Sequence, residues 1–273
     1  MTIETIAGAR AVVTGAASGI GRAIVEELLR QGASVYMADI HAQHLETATR
    51  ELGGALGPGQ RLYSGLTDVA DPDSVAALAS AARAALGDVD LLFANAGIAS
   101  AYGGAPDETP LEDWHRQLNV NLFGVVHCLR AFLPAMRAKG RRSHIVITAS
   151  SAGLLPTANR ASYAASKHAV VGLGESLYLQ LQGSAIGVSL LCPGVTNTPM
   201  LNPDLNRPDG KPGRPLNPAL LAHAKPAAAV ARMAVEAVVT GRFWILTHED
   251  LKPAVLARAA AIAGGTPPPD SYH

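Results

Sequence analysis

The stretch that decides the fold is Thr14-Gly15-Ala16-Ala17-Ser18-Gly19-Ile20-Gly21, close to the start of the chain. It follows a short apolar run at residues 11–13 and precedes a helical pattern at residues 20–31. Three glycines remove side chains that would keep a phosphate away from the backbone N–H groups and from the positive end of the helix. This turn therefore predicts a pyrophosphate site. The alternative is an ordinary tight turn, and the rest of the sequence has to decide between the two.

The remainder of the chain alternates short apolar runs with helical patterns. The predicted strands are residues 11–13, 34–38, 61–64, 89–94, 144–149, 188–192 and 243–246, and the predicted helices are residues 20–31, 41–52, 74–86, 114–139, 162–182 and 226–240. This alternation is typical of a parallel sheet covered by helices on both faces. Right-handed crossovers then give a doubly wound Rossmann fold. We predict a single α/β domain over residues 1–273.

Composition favours a chain that binds a small molecule, not nucleic acid or a membrane. Hydrophobic residues make up 48% of the 273 residues and charged residues 16%, which is typical of a well-filled core. Lys plus Arg and Asp plus Glu are equal at 22 each, so no basic surface is expected. No apolar run approaches the ~18 residues of a membrane span, and residues 1–8 lack a signal-peptide pattern. We expect a cytoplasmic protein with Cys128 and Cys192 as reduced, buried thiols.

Two segments near the C-terminal end of the sequence lack a periodic pattern. Residues 193–225 are rich in Pro, Asn and Gly and follow a predicted strand. A loop of that length beside the ligand crevice of such a sheet is expected to be functional, so we interpret residues 194–225 as a lid on the substrate side. Residues 264–273 contain three consecutive prolines and are expected to run as an extended tail.

Asp39 closes the second predicted strand, about twenty residues after the glycine turn. A carboxylate at this place accepts hydrogen bonds from the ribose hydroxyls of an adenosine and repels a 2′-phosphate. Its neighbours Ser18 and Ile40 supply no cation for such a phosphate, and Arg22 is expected to point away. The sequence therefore favours NAD over NADP. An N-cap role for Asp39 in the following helix is compatible with the same position.

Tyr163 and Lys167 stand four residues apart at the start of a predicted helix, so their side chains lie on one face. A phenol with a pKa near 10 becomes a base near neutrality when its pKa falls by roughly 2–3 units, or about 3–4 kcal/mol. One ammonium group at ~4 Å supplies about that much at an effective dielectric of 20. We expect Lys167 to lower the pKa of Tyr163 in this way. A lone YxxxK pattern is common by chance, so the pair indicates a catalytic site only together with the other motifs of the chain.

Together with the glycine turn, these motifs resemble the classical short-chain dehydrogenase/reductase family over roughly residues 8–242. The matching positions, in order, are Thr14-Gly15-x-x-x-Gly19-x-Gly21, Asp68, Asn95-Ala96-Gly97, Trp114, Asn121, Ser150, Tyr163-x-x-x-Lys167, Pro193-Gly194 and Thr198. Two departures are small: Phe93-Ala94 precedes Asn95 where a second Asn is usual, and Thr196 replaces a frequent Val or Ile. Neither departure puts the activity in doubt.

The resemblance implies hydride transfer between NAD and an alcohol or ketone, with four catalytic residues. Tyr163 would be the general acid/base, Lys167 would hold the nicotinamide ribose, Ser150 would bind the substrate oxygen, and Asn121 would hold a relay water. Ser151 is the alternative to Ser150. The implied cofactor-binding set is Gly15, Ser18, Gly19, Ile20, Gly21, Asp39, Asp68, Val69, Asn95, Ala96, Gly97, Tyr163, Lys167, Pro193, Gly194, Thr196 and Thr198.

The substrate is predicted to be a mainly apolar secondary alcohol or its ketone, bound by loops at residues 98–106, 153–160 and 196–225. The side chains expected there are Tyr102, Leu154, Leu155, Met200 and Leu201, with Arg207, Lys211 and Arg214 in the last loop. The nine histidines show no metal-ligand spacing, since His41 and His44 lack a second pair, and no metal site is predicted.

Two other functions compete with this reading. A catalytically silent NAD(H) sensor on the same fold usually loses the Tyr or the Lys, and both are present here. A sugar-nucleotide epimerase or dehydratase needs a larger C-terminal domain and a differently spaced glycine turn. The resemblance also implies a homodimer or homotetramer formed through the two long helices.

Overall fold

A seven-stranded parallel sheet forms the centre of the computed structural model, which describes residues 3–99, 105–202 and 221–269. The strand order is β3-β2-β1-β4-β5-β6-β9, and every neighbouring pair is parallel. The strands are β1 (Arg10–Thr14), β2 (Ser34–Asp39), β3 (Leu62–Leu66), β4 (Leu91–Ala94), β5 (Ser143–Thr148), β6 (Ile186–Cys192) and β9 (Trp244–Leu246). Two further strands, β7 (Thr196–Asn197) and β8 (Lys225–Pro226), pair with each other outside the sheet.

Helices cover both faces of the sheet. They are α1 (Gly19–Arg30), α2 (Ala42–Gly53), α3 (Pro72–Leu86), α4 (Leu111–Leu118), α5 (Gly124–Ala138), α6 (Ala161–Gln180), α7 (Ala227–Thr240) and α8 (Leu251–Gly264). One apolar core joins the sheet to α1, α2 and α7, and a second joins it to α3, α5 and α6. The central strands β2, β4 and β5 are buried along their whole length, as expected for strands covered on two faces.

The strand order reverses between β1 and β4, and this reversal places the ligand crevice. From β1 the chain runs outwards through β2 and β3, and it then returns to the other side of β1 with β4. In an open parallel sheet, ligands bind beyond the carboxyl ends of the strands at this switch point. The segments that follow β1, β4, β5 and β6 therefore meet in one place.

The predicted Rossmann architecture is confirmed, and most predicted elements lie within two or three residues of the observed ones. One correction concerns the long helix predicted over residues 114–139. The helix starts earlier, at Leu111, and continues past Pro134 to Ala138. Its irregular part is a π-helical turn at Asn119–Phe123, in the middle of the helix. Such turns often occur at functional sites.

The same continuous helix, Leu111–Ala138, corrects the expectation that no segment reaches membrane-spanning size. It is 28 residues long, and an 18-residue window in it has a mean hydropathy of 1.3, enough by length and composition to cross a membrane. The core helix of a soluble protein passes the same test. Here the helix packs Val125, Cys128, Phe132 and Met136 into the core on the sheet. Core packing thus accounts for the buried face of the helix, and 33% of the apolar window is buried.

The C-terminal part differs from the sequence prediction. Helix α8 covers a stretch to which no element was assigned, and it ends at the first residue of the predicted tail. Residues 265–269 have no regular secondary structure beyond a turn, and the rest of the tail lies outside the described residues. The predicted lid, 194–225, begins with β7 and a 3-10 turn at Pro199–Leu201 and ends at β8. Residues 203–220 lie outside the described part.

Candidate active site

The glycine turn after β1 is shaped mainly by protein atoms around it. Gly15 and Gly19 have φ of +65° and +54°, a region that favours glycine. A Cβ on Gly21 would lie 2.0 Å from the Gly15 carbonyl oxygen and 2.7 Å from Nδ2 of Asn95. Gly21 therefore has a packing reason of its own to be glycine, because it allows α1 to pack closely on the turn.

The amino end of α1 fits an anion. Ser18 is the N-cap of the helix, yet its exposed side chain makes no capping hydrogen bond, and the first turn contains no acidic residue. The first N–H groups of a helix have no partner within it, and they carry the positive end of the helix dipole. Ile20 is half-buried behind this turn. The donor groups therefore suit the pyrophosphate of a dinucleotide.

Asp39 is fixed at the carboxyl end of β2 by two backbone donors. Its Oδ2 accepts a hydrogen bond from the N–H of Ala17 at 2.9 Å, and its Oδ1 accepts one from the N–H of His41 at 3.0 Å. The residue is 8% exposed. The N-cap of α2 is His41, so Asp39 is not the N-cap. Arg22 bonds Glu26 and Glu51, which agrees with the expectation that it points away from Asp39.

Asn95 ties together the ends of three strands. Its Nδ2 donates to the carbonyl oxygen of Thr14 at 3.0 Å, and its Oδ1 accepts from the Thr148 hydroxyl at 3.1 Å. The Thr14 hydroxyl in turn accepts from the N–H groups of Asn95 and Ala96. A Cβ on Gly97 would lie 3.2 Å from Oδ1 of Asn121 and 3.4 Å from Nζ of Lys167. The segment Asn95-Ala96-Gly97 thus joins the glycine turn to the catalytic group.

Asp68 and Val69 form the outer wall of the crevice, after β3. The Asp68 carboxylate accepts from the N–H of Ala70 at 2.9 Å, and its own N–H donates to the Ser74 hydroxyl. Val69 is buried, and its side chain lies where a Cβ of Gly124 would be. Both residues therefore flank the side of the crevice on which Asp39 lies, although nothing in their contacts assigns them an adenine.

Tyr163, Ser150 and Lys167 are brought together by α6 and the end of β5. The Ser150 hydroxyl lies close enough to the Tyr163 hydroxyl to act on its pKa. Nζ of Lys167 lies 5.9 Å from the centroid of the Tyr163 ring and donates to the carbonyl oxygen of Thr148 at 3.0 Å. Ser151 lies in a 3-10 turn, where its N–H donates to the Pro193 carbonyl. Of the two candidate serines, the contact to Tyr163 belongs to Ser150.

The electrostatics of this group depart from the expectation. Burial raises the pKa of Tyr163, while the hydrogen bond from Ser150 and the charge of Arg160 act in the lowering direction. Burial also lowers the pKa of Lys167 to about 8. The same low-polarity surroundings disfavour both the tyrosinate and the ammonium. In the protein alone the pKa of Tyr163 is therefore raised overall, and the groups that act to lower it are Ser150 and Arg160.

Asn121 lies in the π-helical turn and is fully buried. Its Oδ1 accepts from the N–H of Ile98 at 2.8 Å, and its Nδ2 donates to the Ile98 carbonyl at 3.0 Å. Nδ2 also contacts the Ser166 hydroxyl and Oε1 of Gln117. Gln117 was not predicted, and its buried Nε2 has no hydrogen-bond partner among the described residues. The i, i+4 spacing of the two amides was the signal that could have identified it.

The segment after β6 forms the remaining wall. Thr196 donates its hydroxyl to the Gly194 carbonyl at 3.0 Å. Thr198 precedes the 3-10 turn, and its side chain lies 3.2 Å from where a Cβ of Gly19 would be. The segment Pro193 to Thr198 therefore spans from the catalytic serines to the glycine turn.

The predicted substrate loops are described only in part. Leu154 and Leu155 are buried in the core, and Met200 is 40% exposed beside Leu201. Tyr102, Arg207, Lys211 and Arg214 lie outside the described residues. Within the described residues no group of three or more His, Cys, Asp or Glu side chains is arranged to hold a metal ion. Both cysteines are free, buried thiols.

The sequence profile of the short chain dehydrogenase family matches residues 9–208. A 1-deoxy-11-beta-hydroxypentalenate dehydrogenase of Streptomyces avermitilis is 43% identical over 190 residues, which cover 70% of this chain and 69% of the relative. A cis-4-hydroxycyclohexanecarboxylate dehydrogenase of Sinomonas cyclohexanicum is 40% identical over 199 residues, with 72% and 77% covered. A solved short-chain dehydrogenase/reductase from Burkholderia phymatum, in complex with NAD, has a TM-score of 0.88 and 35% identity, covering 99% of this chain and 100% of that one.

The chain belongs to the short-chain dehydrogenase family, a family of oxidoreductases. The match covers the glycine turn, the Tyr163–Lys167 pair and the Pro193-Gly194 segment. It thus spans each wall of the crevice described above.

Proposed function

We propose that the protein is an NAD-dependent dehydrogenase that interconverts a mainly apolar secondary alcohol and its ketone. The observation that carries this proposal is the convergence of Tyr163, Ser150, Lys167 and Asn121 next to an uncapped helix amino end. The anion site and the proton-transferring group lie at the same end of the same sheet. A protein that only sensed the dinucleotide would not need the proton-transferring group.

Each side chain of the catalytic group has one task in this proposal. A bound nicotinamide would accept or supply the hydride. Ser150 and Tyr163 hold the substrate oxygen between their hydroxyls, and Tyr163 moves the proton at its Oη. Ser150 is suited to this task because its Oγ accepts from the N–H of Ala152 at 3.1 Å, which leaves its own proton to donate. Lys167 is fixed by the Thr148 carbonyl and exchanges a proton close to neutral pH.

Asn121 positions the loop that faces this group. Its side chain pairs with both backbone groups of Ile98, so the segment after β4 cannot move without breaking two hydrogen bonds. The unsatisfied Nε2 of Gln117 beside it is a buried donor that a water molecule would satisfy. This arrangement supports the relay through Asn121 that the family resemblance implies.

Asp39 supports NAD as the cofactor. Both of its oxygens accept backbone hydrogen bonds, so its charge stays at the place where an adenosine ribose would lie. The nearby Arg22 is engaged by two glutamates and cannot balance a 2′-phosphate without losing them. A carboxylate without a neighbouring cation disfavours NADP.

A ring alcohol is the proposed substrate class. Two relatives are named as dehydrogenases of cyclic alcohols, one of a hydroxypentalenate and one of a cis-4-hydroxycyclohexanecarboxylate. Met200 and Leu201, on the turn after Thr198, add apolar surface at the mouth of the crevice. Proton transfer by Tyr163 requires only a CH–OH group within reach, so the ring is selected by the walls of the crevice.

We also propose that the protein is cytoplasmic and forms a homodimer or homotetramer. Helices α5 and α6 present a groove of about 260 Å³ that includes Leu129, Leu133, Leu173 and Leu177. Leu179 at the end of α6 is 64% exposed. Apolar surface of this kind along two long helices suits pairing with a second copy. Sedimentation equilibrium would test the assembly.

The experiment for the proposed function is an activity screen of the purified protein with NAD or NADP. The alcohols are matched cyclic and open-chain pairs of equal carbon number, and the readout is the reduced cofactor. We expect turnover with NAD and higher kcat/KM for the cyclic member of each pair. Tight NADH binding without turnover on the whole panel would instead favour the sensor.

A further inference from the structure

A buried histidine lies directly beneath the Pro193-Gly194 segment. Strand β9 pairs with the end of β6 through Leu246 and Cys192, so the residues after each strand remain neighbours. Thr247 and His248 follow β9 and are 2% and 9% exposed. The family resemblance assigned neither residue a role, and their position next to Gly194 becomes visible only in the fold.

Three atoms connect this histidine to Gly194. The N–H of Gly194 donates to Oγ1 of Thr247 at 3.1 Å. The same Oγ1 lies 2.8 Å from Nδ1 of His248. Because Oγ1 of Thr247 accepts a hydrogen bond from Gly194, the hydroxyl proton of Thr247 is available to donate to Nδ1 of His248. Nδ1 is then the acceptor, so the ring proton of a neutral His248 is on Nε2. The imidazole ring and the Thr247 hydroxyl together fix the position of the Gly194 backbone.

The ring also explains why residue 194 is a glycine. A Cβ at Gly194 would lie 2.7 Å from Nδ1 and 3.0 Å from Cγ and Cε1 of His248. Gly194 is absent from the glycines with positive φ, so its backbone does not by itself require glycine. The space that a Cβ would need is filled by the imidazole. The requirement for glycine at this position therefore comes from His248.

His248 is placed between the two ends of the segment 194–225. The Val195 carbonyl accepts from the N–H of Lys225, which joins those two ends next to β7 and β8. The carbonyl groups of Val195 and His223 both face the ring and act to raise its pKa, as does Asp250, but burial and the charge of Lys225 lower the pKa of His248 overall. The neutral imidazole packs against Gly194 at one end of the segment, and its buried Nε2 has no hydrogen-bond partner among the described residues.

We infer that His248 is a positioning residue for the cofactor: through Thr247 it fixes Gly194, and so places Thr196 and Thr198 against the nicotinamide half of the dinucleotide. This inference rests on the proposed function, since it assumes that the segment binds NAD(H). His248 itself does not touch the reacting atoms. Its effect is expected on cofactor affinity, while Tyr163 carries the proton transfer.

The test is a double-mutant cycle between Gly194→Ala and His248→Ala, with NADH affinity measured by fluorescence titration. We expect Gly194→Ala to weaken NADH binding about tenfold or more, because the new Cβ meets the ring. In the His248→Ala background the same change should cost at least about threefold less, a coupling typical of side chains in contact. His248→Asn, which keeps a polar atom near Nδ1 for Thr247, should retain more affinity than His248→Ala.

The control is His144→Ala, which removes a buried histidine at the opposite end of the sheet. It should lower thermal stability and leave the dissociation constant of NADH unchanged. Equal costs of Gly194→Ala in the two backgrounds would overturn the inference while the proposed function stands. A wild-type protein that fails to bind NADH would overturn the proposed function itself, and this inference with it.

Discussion

Replacement of Asp39 by Asn should shift the cofactor preference towards NADP. The side chain is nearly isosteric, so the change removes the negative charge with little change of volume, and it replaces one of the two acceptors of backbone N–H groups by an NH2 group. In the structure the two carboxylate oxygens accept hydrogen bonds from the N–H groups of Ala17 and His41, and the residue is 8% exposed. The charge is therefore fixed and poorly hydrated. A 2′-phosphate would have to bind beside it.

The size of the effect follows from Coulomb's law. Two unit charges ~5 Å apart at an effective dielectric of 20 repel each other by about 3 kcal/mol, or about two orders of magnitude in affinity. Loss of a charge-assisted hydrogen bond to the ribose should also weaken NAD binding by about 1.5–3 kcal/mol. Both effects move the preference in the same direction. The ratio of kcat/KM for NAD to that for NADP should fall by at least about 100-fold.

The assay is steady-state kinetics with both cofactors and one alcohol, with thermal unfolding as a check on the fold. Arg22→Ala is the matched control, since Arg22 is occupied by Glu26 and Glu51 and should leave the ratio unchanged. If Asp39→Asn folds and the ratio stays within about threefold of the wild type, the charge of Asp39 does not select the cofactor. A wild type that prefers NADP would refute the reasoning directly.

Three further predictions test other parts of the structure. Burial lowers the pKa of His144 to about 4 from 6.5, so the unfolded chain binds the proton first and the stability present above pH 6.5 is lost as pH falls towards 4. Urea unfolding should show a drop of about 2 kcal/mol between pH 7 and pH 5 that is absent in His144→Gln. Gly21→Ala should destabilise the fold by about 3 kcal/mol or more because its Cβ meets the Gly15 carbonyl. The control Gly172→Ala, which has open space around its Cβ, should raise the free energy of unfolding by up to about 1 kcal/mol. A stable Gly21→Ala variant would be evidence against the packing described. Arg160→Gln should raise the pKa of Tyr163 and move the pH profile of alcohol oxidation to higher pH, and since Arg160 is exposed, added salt should shrink the difference; an unchanged profile at low salt would exclude this influence.

The sequence was sufficient to predict the order of the strands and helices because buried parallel strands are nearly continuous apolar runs. It was less informative where local pattern and packing diverge. The π-helical turn at Asn119–Phe123 has an ordinary helical sequence, and only the contacts of Asn121 with Ile98 and Ser166 identify its function. Helix α8 was missed although its Ala-rich composition, Pro253 in its first turn and Gly265 beyond its end all favour a helix.

In the site, motif spacing pointed to residues that the fold brings close together, and their energetics could be described only from the fold. The sign of the pKa shift at Tyr163 depends on how completely the hydroxyl is desolvated, which the spacing to Lys167 does not reveal. The role of Gly21 depends on where the Gly15 carbonyl lies, and the geometry of the turn decides that position. The contact between Gly194 and His248 joins residues 54 positions apart, and no local pattern encodes it.

The most direct test of the proposed function compares wild type and Tyr163→Phe in NADH binding and in NAD-dependent oxidation of the best alcohol found. Phe keeps the ring and removes only the hydroxyl that meets Ser150. We predict an NADH dissociation constant within about threefold of the wild type and a kcat that is lower by about 10²–10⁴-fold, the usual contribution of general acid–base catalysis. A Tyr163→Phe enzyme that kept more than about a tenth of the wild-type kcat would contradict the assignment of proton transfer to Tyr163.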